Sequence, residues 1–291
     1  MLVFFQPPDS TAVTPMVNAM TVDVEDYFHV SAFEPYIARN TWDTLPCRVE
    51  RNTDRILELF ANHGVNATFF TLGWVAERYP ALIRRIVEAG HELGCHGLSH
   101  IRVTEQSPEE FSEDVRCSKD LLENIAGQAV QGYRAASYSI GAKNLWAFPI
   151  LESLGFRYSS SIYPVRHDLY GMPEAPRFAF RPTGANGILE FPVTTLRFGD
   201  RNYPCGGGGY FRLLPYRLSH WAMSRVNRMD GQSCIFYFHP WEIDPDQPRQ
   251  PGINLKTRFR HYLNLSRMEA RIARLLGDFR WDTMANVFLR S

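Results

Sequence analysis

The sequence has no CxxC pair, no long apolar run, no excess charge of either sign, and no repeated or low-complexity segment. Its five cysteines (Cys47, Cys95, Cys117, Cys205 and Cys234) are odd in number and widely spaced. That pattern argues against a disulfide framework or a structural zinc knuckle, and for reduced thiols in a reducing compartment. No apolar stretch approaches the roughly 18 residues of a membrane span, so no integral membrane segment is expected. Residues 1–18 carry neither a basic n-region nor a long apolar h-region and do not read as a secretory signal, so a cytoplasmic location is expected. They read as a weakly ordered leader, with Met16 and Met20 as alternative translation starts. Lys and Arg total 31 against 31 Asp and Glu, so no basic field exists to attract nucleic acid. What remains, 291 residues of which 45% are hydrophobic, with 20 Gly and 19 Pro, is ordinary for a globular protein and excludes disordered, collagenous and coiled-coil classes.

Strand and helix signals alternate along the chain. Short apolar, β-prone runs occur at 18–24, 65–72, 91–95, 130–133, 156–158, 188–193 and 233–238. Helical periodicity occurs at 49–62, 74–89, 143–154 and 213–229, the first two ended by Gly64 and Gly90. Ser107-Pro108-Glu109-Glu110 is a strong helix start, with Ser at N-cap, Pro at N1 and Glu at N3, and that helix stops at Gly127. A last amphipathic helix carries Met268, Ile272, Leu275, Leu276 and Phe279, with Ser266 and Glu269 as its expected capping box. Such alternation predicts a parallel α/β architecture, in which polar residues just past strand ends carry chemistry.

Four such places stand out. Asp23-Val24-Glu25-Asp26 ends the first strand, and alternation puts Asp23 and Glu25 on one face while Asp26 lies where the chain leaves the strand. His96 and His100, at i and i+4, can meet on one side of a helical turn and share a metal. Arg134 ends the strand at 130–133, and His239 ends a buried strand. Taken singly, each has a plain structural reading: a solvated strand end, core histidines, a surface ion pair, a histidine bracing the Pro240-Trp241 turn. Together they supply a metal site, a carboxylate base, an arginine to orient it and a distal acid, the equipment for metal-assisted hydrolysis of an amide or ester.

The order of these motifs resembles the NodB-homology polysaccharide deacetylases, carbohydrate esterase family 4, over roughly residues 19–241. GHELGCHGLSH (90–100) is the most specific segment and is similar to that family's GHEIGNHTxxH. DVEDYFHVSAF (23–33), HDLYG (167–171), FYFHPWEID (236–244) and the tail FRHYLNLSRMEARIARLLGDFRW (259–281) resemble the branch associated with exopolysaccharide and exosortase (PEP-CTERM) loci. The resemblance implies a distorted (β/α)7 barrel with a C-terminal helical extension, a divalent metal, commonly zinc, and removal of N-acetyl groups from amino sugars. Residue by residue, it implies Asp23 as base, His96 and His100 as metal ligands, Arg134 as the residue orienting the base, and His239 as general acid. The sequence departs from the family where Val24 follows the base directly. The third ligand is then Asp26 or Glu25, with Asp26 preferred because its short side chain lies where the backbone turns, and Glu25 as the alternative. The arginine motif reads RAAS rather than RxPxG, implying a less rigid loop, and Tyr158-Ser159 stands where the branch has Tyr-Asp.

Residues 19–243 are expected to form the deacetylase domain, and 244–291 a C-terminal extension packed on the barrel. Among Tyr27, Phe28, Tyr163, Tyr203, Tyr210 and Trp241, the residues Tyr163, Tyr210 and Trp241 are the expected sugar-stacking aromatics. The glycine run 206–209 reads as a flexible loop on the substrate side. The expected partner is an N-acetylated glycan or its lipid-linked precursor. The rival functions are an amidohydrolase of the same fold acting on a small cyclic amide or ureide, and a non-catalytic sugar-binding protein of an assembly system.

Overall fold

The computed structural model describes residues 16–166 and 171–289. In chain order the strands are β1 (Val17–Val24), β2 (Thr68–Thr71), β3 (Glu92–Cys95), β4 (Gly132–Tyr133), β5 (Tyr158–Ser159), β6 (Leu189–Glu190), β7 (Thr195–Phe198), β8 (Arg201–Pro204), β9 (Ile235–Phe238) and β10 (Arg280–Asp282). The helices are α1 (Val49–His63), α2 (Gly73–Arg78), α3 (Pro80–Glu88), α4 (Pro108–Ala126), α5 (Ala147–Ser153), α6 (Gly208–Leu213), α7 (Tyr216–Arg225), α8 (Leu255–Tyr262), α9 (Leu265–Asp278) and α10 (Met284–Phe288).

Seven strands in the order β9-β1-β2-β3-β4-β5-β6 pair in parallel and curl into a half-barrel. Among the described residues, no ladder joins β6 to β9. That gap is spanned by the segment after β6, where Ile235 N donates to Thr194 Oγ1 (2.6 Å) and Tyr237 N to the Gly206 carbonyl (2.8 Å). The β7–β8 pair forms a separate antiparallel hairpin.

β1 sets the layering. Met20, Val22 and Val24 point outward and pack with Ile56 and Phe60 of α1 and Met268 and Ile272 of α9. Thr21 and Asp23 alternate with them and point into the barrel, where both meet Arg134. A second apolar cluster joins β3 and β4 to α3, α4 and α5 through Leu93, Tyr133, Ile83, Phe111 and Phe148. Because helices cover the strands, β2 is buried along its whole length.

Most helix boundaries follow their signals. The Ser107 capping box forms in both directions, Glu110 N to Ser107 Oγ (3.2 Å) and Ser107 N to Glu110 Oε2 (2.8 Å). Three expectations are corrected. The 74–89 helix is two helices, because Pro80 has no N–H to continue the first and starts the second at its own N1 position. The 213–229 helix starts at Tyr216, after Pro215, and widens into a π turn at Val226–Asp230. The Ser266–Glu269 capping box does not form; α9 starts at Leu265 after a left-handed Asn264, and Glu269 pairs with Arg55 of α1 instead.

The C-terminal segment is more than a helix laid on the barrel. After α9, β10 pairs in parallel with Val17–Ala19 of β1, and the start of α10 donates from Met284 N to Thr68 Oγ1 (2.8 Å) and from Ala285 N to Glu92 Oε2 (3.0 Å). The sheet therefore starts at Val17, inside the stretch read as a leader, with Asn18 bonded to Asn227 and Cys234. Residues 1–15 of that stretch, and all of HDLYG except Gly171, lie outside the described residues. All five cysteines are free. Among the described residues, no helix is long and apolar enough to cross a membrane.

Candidate active site

Parallel strands deliver their C-terminal ends to one rim, and that rim carries the motifs. Asp23 lies near the end of β1, His96 follows β3, Arg134 follows β4, Ser160 follows β5 and His239 follows β9. A cavity of about 190 Å3 opens there, lined by Asp23, Glu25, His96, His100, Tyr138, Tyr237, His239 and Trp241.

Arg134 is fully buried, its guanidinium lying 4.1 Å from the Phe70 ring centroid. Its Nη1 donates to Asp23 Oδ1 (2.6 Å) and Thr21 Oγ1 (2.8 Å), and its Nη2 and Nε to the Ser160 hydroxyl (3.1 Å) and carbonyl (3.2 Å). One carboxylate oxygen of Asp23 is thereby fixed, and the other, Oδ2, lies 3.9 Å from His239 Nε2.

Glu25 comes next on the same face. Its carboxylate is 3.6 Å from His96 Nε2, 3.5 Å from His100 Nε2 and 3.3 Å from His239 Nε2. Burial opposes its ionisation, but the imidazoles of His100 and His239 hold it well below the usual carboxylate range. One ligand atom each from Glu25, His96 and His100 lie within 4.8 Å of one another. His96 Nδ1 faces the Arg134 carbonyl at 2.8 Å. A carbonyl only accepts, so Nδ1 carries the proton and Nε2 keeps a lone pair. That buried Nε2 and Glu25 Oε2 have no hydrogen-bond partner. Two imidazoles and a carboxylate with unsatisfied lone pairs are a fit donor set for a divalent cation with an open position.

The preferred third ligand, Asp26, is elsewhere. Its side chain turns outward to the start of α1, where it accepts from Val49 N (2.7 Å), Arg48 N, Tyr27 N (2.8 Å) and Cys47 Sγ (3.1 Å). No side chain at the N-cap position of α1 does this job, so Asp26 satisfies the helix's orphan N–H groups from a distance and complements its dipole. Strand alternation keeps Glu25 on the Asp23 face, beside the two histidines. The histidine pair also differs in detail. His96 and His100 meet across an irregular loop, not a helical turn, with His100 itself left-handed (φ 52°).

His239 Nδ1 is 2.8 Å from Glu242 Oε1, and Glu242 also accepts from Arg212 Nε at 2.7 Å. Burial disfavours a charged His239, yet the Glu25 and Glu242 carboxylates push its pKa up to about 10. Glu242 and Arg212 are functional candidates absent from the sequence reading. Glu242, three residues past His239, was within reach of a capping argument; Arg212, thirty residues away, had no local signal.

Of the expected aromatics, Trp241 lines the cavity, stacked on His239 at 5.2 Å and 18°. Tyr163 is buried behind it against Tyr138 and Tyr237, and Tyr210 on α6 does not line the cavity. Tyr138 and Tyr237 take those places. The glycine run is not a loose loop: Gly208 begins α6, and a Cβ at Gly206 or Gly208 would strike the Ile235 carbonyl or the Glu242 carboxylate. The RAAS loop is pinned by a Ser31–Ser137 hydroxyl pair (2.6 Å) and by Ala135 N donating to Ser161 Oγ (2.9 Å).

Comparison with known proteins agrees with this architecture. Residues 35–159 match the polysaccharide deacetylase family profile, and residues 160–289 match a domain of unknown function, DUF3473. A peptidoglycan-N-acetylglucosamine deacetylase of Bacillus cereus is 35% identical over 77 residues, 26% of this chain and 28% of that protein. A chitooligosaccharide deacetylase of Bradyrhizobium is 30% identical over 95 residues, 33% of this chain and 43% of that one. The chain thus spans less than half the length of these relatives. A crystal structure from Mycobacterium smegmatis superposes with a TM-score of 0.62 at 18% identity, covering 99% of this chain and 93% of that one, and shares the fold. These matches support the polysaccharide deacetylase (NodB, carbohydrate esterase 4) family. The matched profile contains His96, His100 and Arg134, whereas His239, Glu242 and Arg212 lie in the segment of unknown function.

Proposed function

We propose that this chain is a metal-dependent hydrolase that removes N-acetyl groups from amino sugars of a glycan. The observation that carries the reading is one cavity in which the Glu25–His96–His100 cluster stands between an arginine-held carboxylate and a carboxylate-held histidine. Glu25, His96 and His100 would hold the cation, with zinc suited to two imidazoles and a carboxylate. When bound, it supplies Lewis-acid polarisation of the acetyl carbonyl.

The chain's own residues supply the proton transfers. Arg134 occupies Asp23 Oδ1, which leaves Oδ2 facing the cavity to take a proton from the attacking water. His239, held through Nδ1 by Glu242, gives its proton to the departing sugar nitrogen, a very poor leaving group without it. Water and amide become acetate and the protonated amine, and the proton gained by Asp23 balances that lost by His239. A second cavity of about 420 Å3 shares the Trp241 wall, so the site continues beyond a single unit. That favours a glycan chain over a small cyclic amide. The narrower reading, an exported polysaccharide or its lipid-linked precursor, rests on the resemblance of segments 23–33, 236–244 and 259–281.

The test is acetate release from N-acetylglucosamine oligomers by chelator-treated and metal-reconstituted protein, alongside His96→Ala and His100→Ala. Activity that depends on added metal and is lost in both variants supports the reading. Acetate release that survives chelation, or both variants, contradicts it.

A further inference from the structure

We propose that the outer face of α7, with the β7–β8 hairpin beside it, is a docking surface for an anionic lipid bilayer. α7 is two-sided. Tyr216, Ser219, Ala222 and Met223 are buried, as is Val226 in the π turn that follows. Arg217, Trp221 and Arg225, spaced four apart, form an exposed stripe on the other side. Leu218 lies beside that stripe, and Arg228 and Met229 continue it through the turn. The hairpin extends the surface. Leu196 and Cys205 pack on Ala222 of α7. Leu196 stands opposite Tyr203, and Phe198 opposite Arg201, so these four side chains share the hairpin face that meets the helix.

Two properties of this surface point to a lipid headgroup region. Large apolar side chains are grouped on it rather than scattered: Met229 is 70% exposed, Phe198 68%, Leu218 50% and Trp221 49%. It is also cationic, in a chain whose formal net charge is zero. Residues 195–230 hold six arginines against two aspartates, Asp200 and Asp230. Both aspartates already face arginines, Asp200 facing Arg197 at 3.9 Å and Asp230 facing Arg177 at 2.8 Å. Arg201, Arg217, Arg225 and Arg228 are exposed and, among the described residues, have no carboxylate partner. An anionic bilayer satisfies both properties at once. Its phosphates accept from guanidinium groups, and its acyl boundary takes up tryptophan, leucine, methionine and phenylalanine side chains. Leu218 and Met229 offer no flat ring on which a nucleic-acid base could stack. The contact is peripheral, since among the described residues no helix is long and apolar enough to cross a membrane. Docking on this face is independent of the chemistry in the cavity.

The experiment is flotation of the full-length protein with vesicles of phosphatidylcholine alone and of phosphatidylcholine mixed with phosphatidylglycerol. The protein should float with the mixed vesicles and not with the neutral ones, and added salt should release it. Arg217→Gln/Arg225→Gln should weaken binding about 30-fold, since each arginine near an anionic surface is worth about 5-fold. The charge-matched Arg84→Gln/Lys143→Gln, on other elements, should bind like wild type. Brominated acyl chains should quench part of the tryptophan emission, and that quenching should vanish in Trp221→Phe while binding is kept, because the other five tryptophans are buried or partly buried. Equal binding to both vesicles, binding to neither, or binding that survives Arg217→Gln/Arg225→Gln overturns the proposal. Light scattering that shows a dimer, abolished by Leu218→Ser/Trp221→Ser, with no vesicle binding, assigns the face to a second copy of the chain and also overturns it.

Discussion

Asp26 and Glu25 are adjacent in the chain and face opposite ways, and exchanging each for alanine separates folding from metal binding. Asp26 accepts from three backbone N–H groups and the Cys47 thiol at the start of α1. A side-chain N-cap is worth about 0.5–2 kcal/mol, and hydrogen bonds to a charged group about 1.5–3 kcal/mol each. Water replaces some of these partners at the partly buried Arg48, so Asp26→Ala should cost about 3–4 kcal/mol. For a chain of this length that lowers Tm by roughly 8–12 °C. Removing Glu25 from the metal-free protein gives up its pairing with His100 and His239 but also the desolvation of a buried carboxylate, so the net cost is small. Metal-free Glu25→Ala should melt within roughly 3 °C of metal-free wild type yet bind zinc at least about 10²-fold more weakly, since even an outer-shell partner is worth about 10–100-fold. The assay pairs differential scanning calorimetry of chelator-treated protein with a zinc titration of each variant. Loss of zinc binding in Asp26→Ala, with Glu25→Ala binding normally, would refute the assignment.

Asp23→Asn should keep zinc affinity and Tm but lower kcat about 10²–10⁴-fold, because an amide does not accept the water proton; near-normal turnover removes Asp23 as base. Glu242→Gln takes away the carboxylate that faces His239 Nδ1 at 2.8 Å and favours its protonated form. The alkaline limb of kcat/KM should move about 1–2 units toward acid, and an unmoved limb excludes Glu242 as the residue tuning His239. Burial raises Glu190 to about 7 from an ordinary 4.5, against hydrogen bonds from Ile162 N, Ser159 and Ser161 N. The folded state therefore binds this proton more tightly. The stability it contributes is full below about pH 4.5 and falls as pH rises toward 7, by up to about 3 kcal/mol. Urea denaturation across that window should show wild type losing up to about 3 kcal/mol more than Glu190→Gln as pH rises; equal slopes contradict it.

Local patterns made much of this site legible. The Asp23–Glu25 face follows from period-two alternation in β1, and the 107–110 capping box and the ends of α1 and α4 follow from residues adjacent in sequence. The rest depends on contacts that no local window contains. Asp26 is drawn away from the histidines by a helix that starts more than twenty residues later. Arg212 reaches Glu242 from α6, across thirty positions. β10 is three residues long and shows no alternation of its own; it exists because β1 offers it an edge. Tyr138 enters the cavity wall from a left-handed turn (φ 51°), a conformation that its sequence gives no reason to expect.

Acetate release from N-acetylglucosamine oligomers as a function of bound zinc tests the central claim most directly. Chelator-treated protein should release none. Activity should rise linearly with added zinc and saturate near one equivalent per chain, the stoichiometry of a single Glu25–His96–His100 site. Release that is independent of zinc, or no release at full occupancy from any N-acetylated oligomer, would contradict the account.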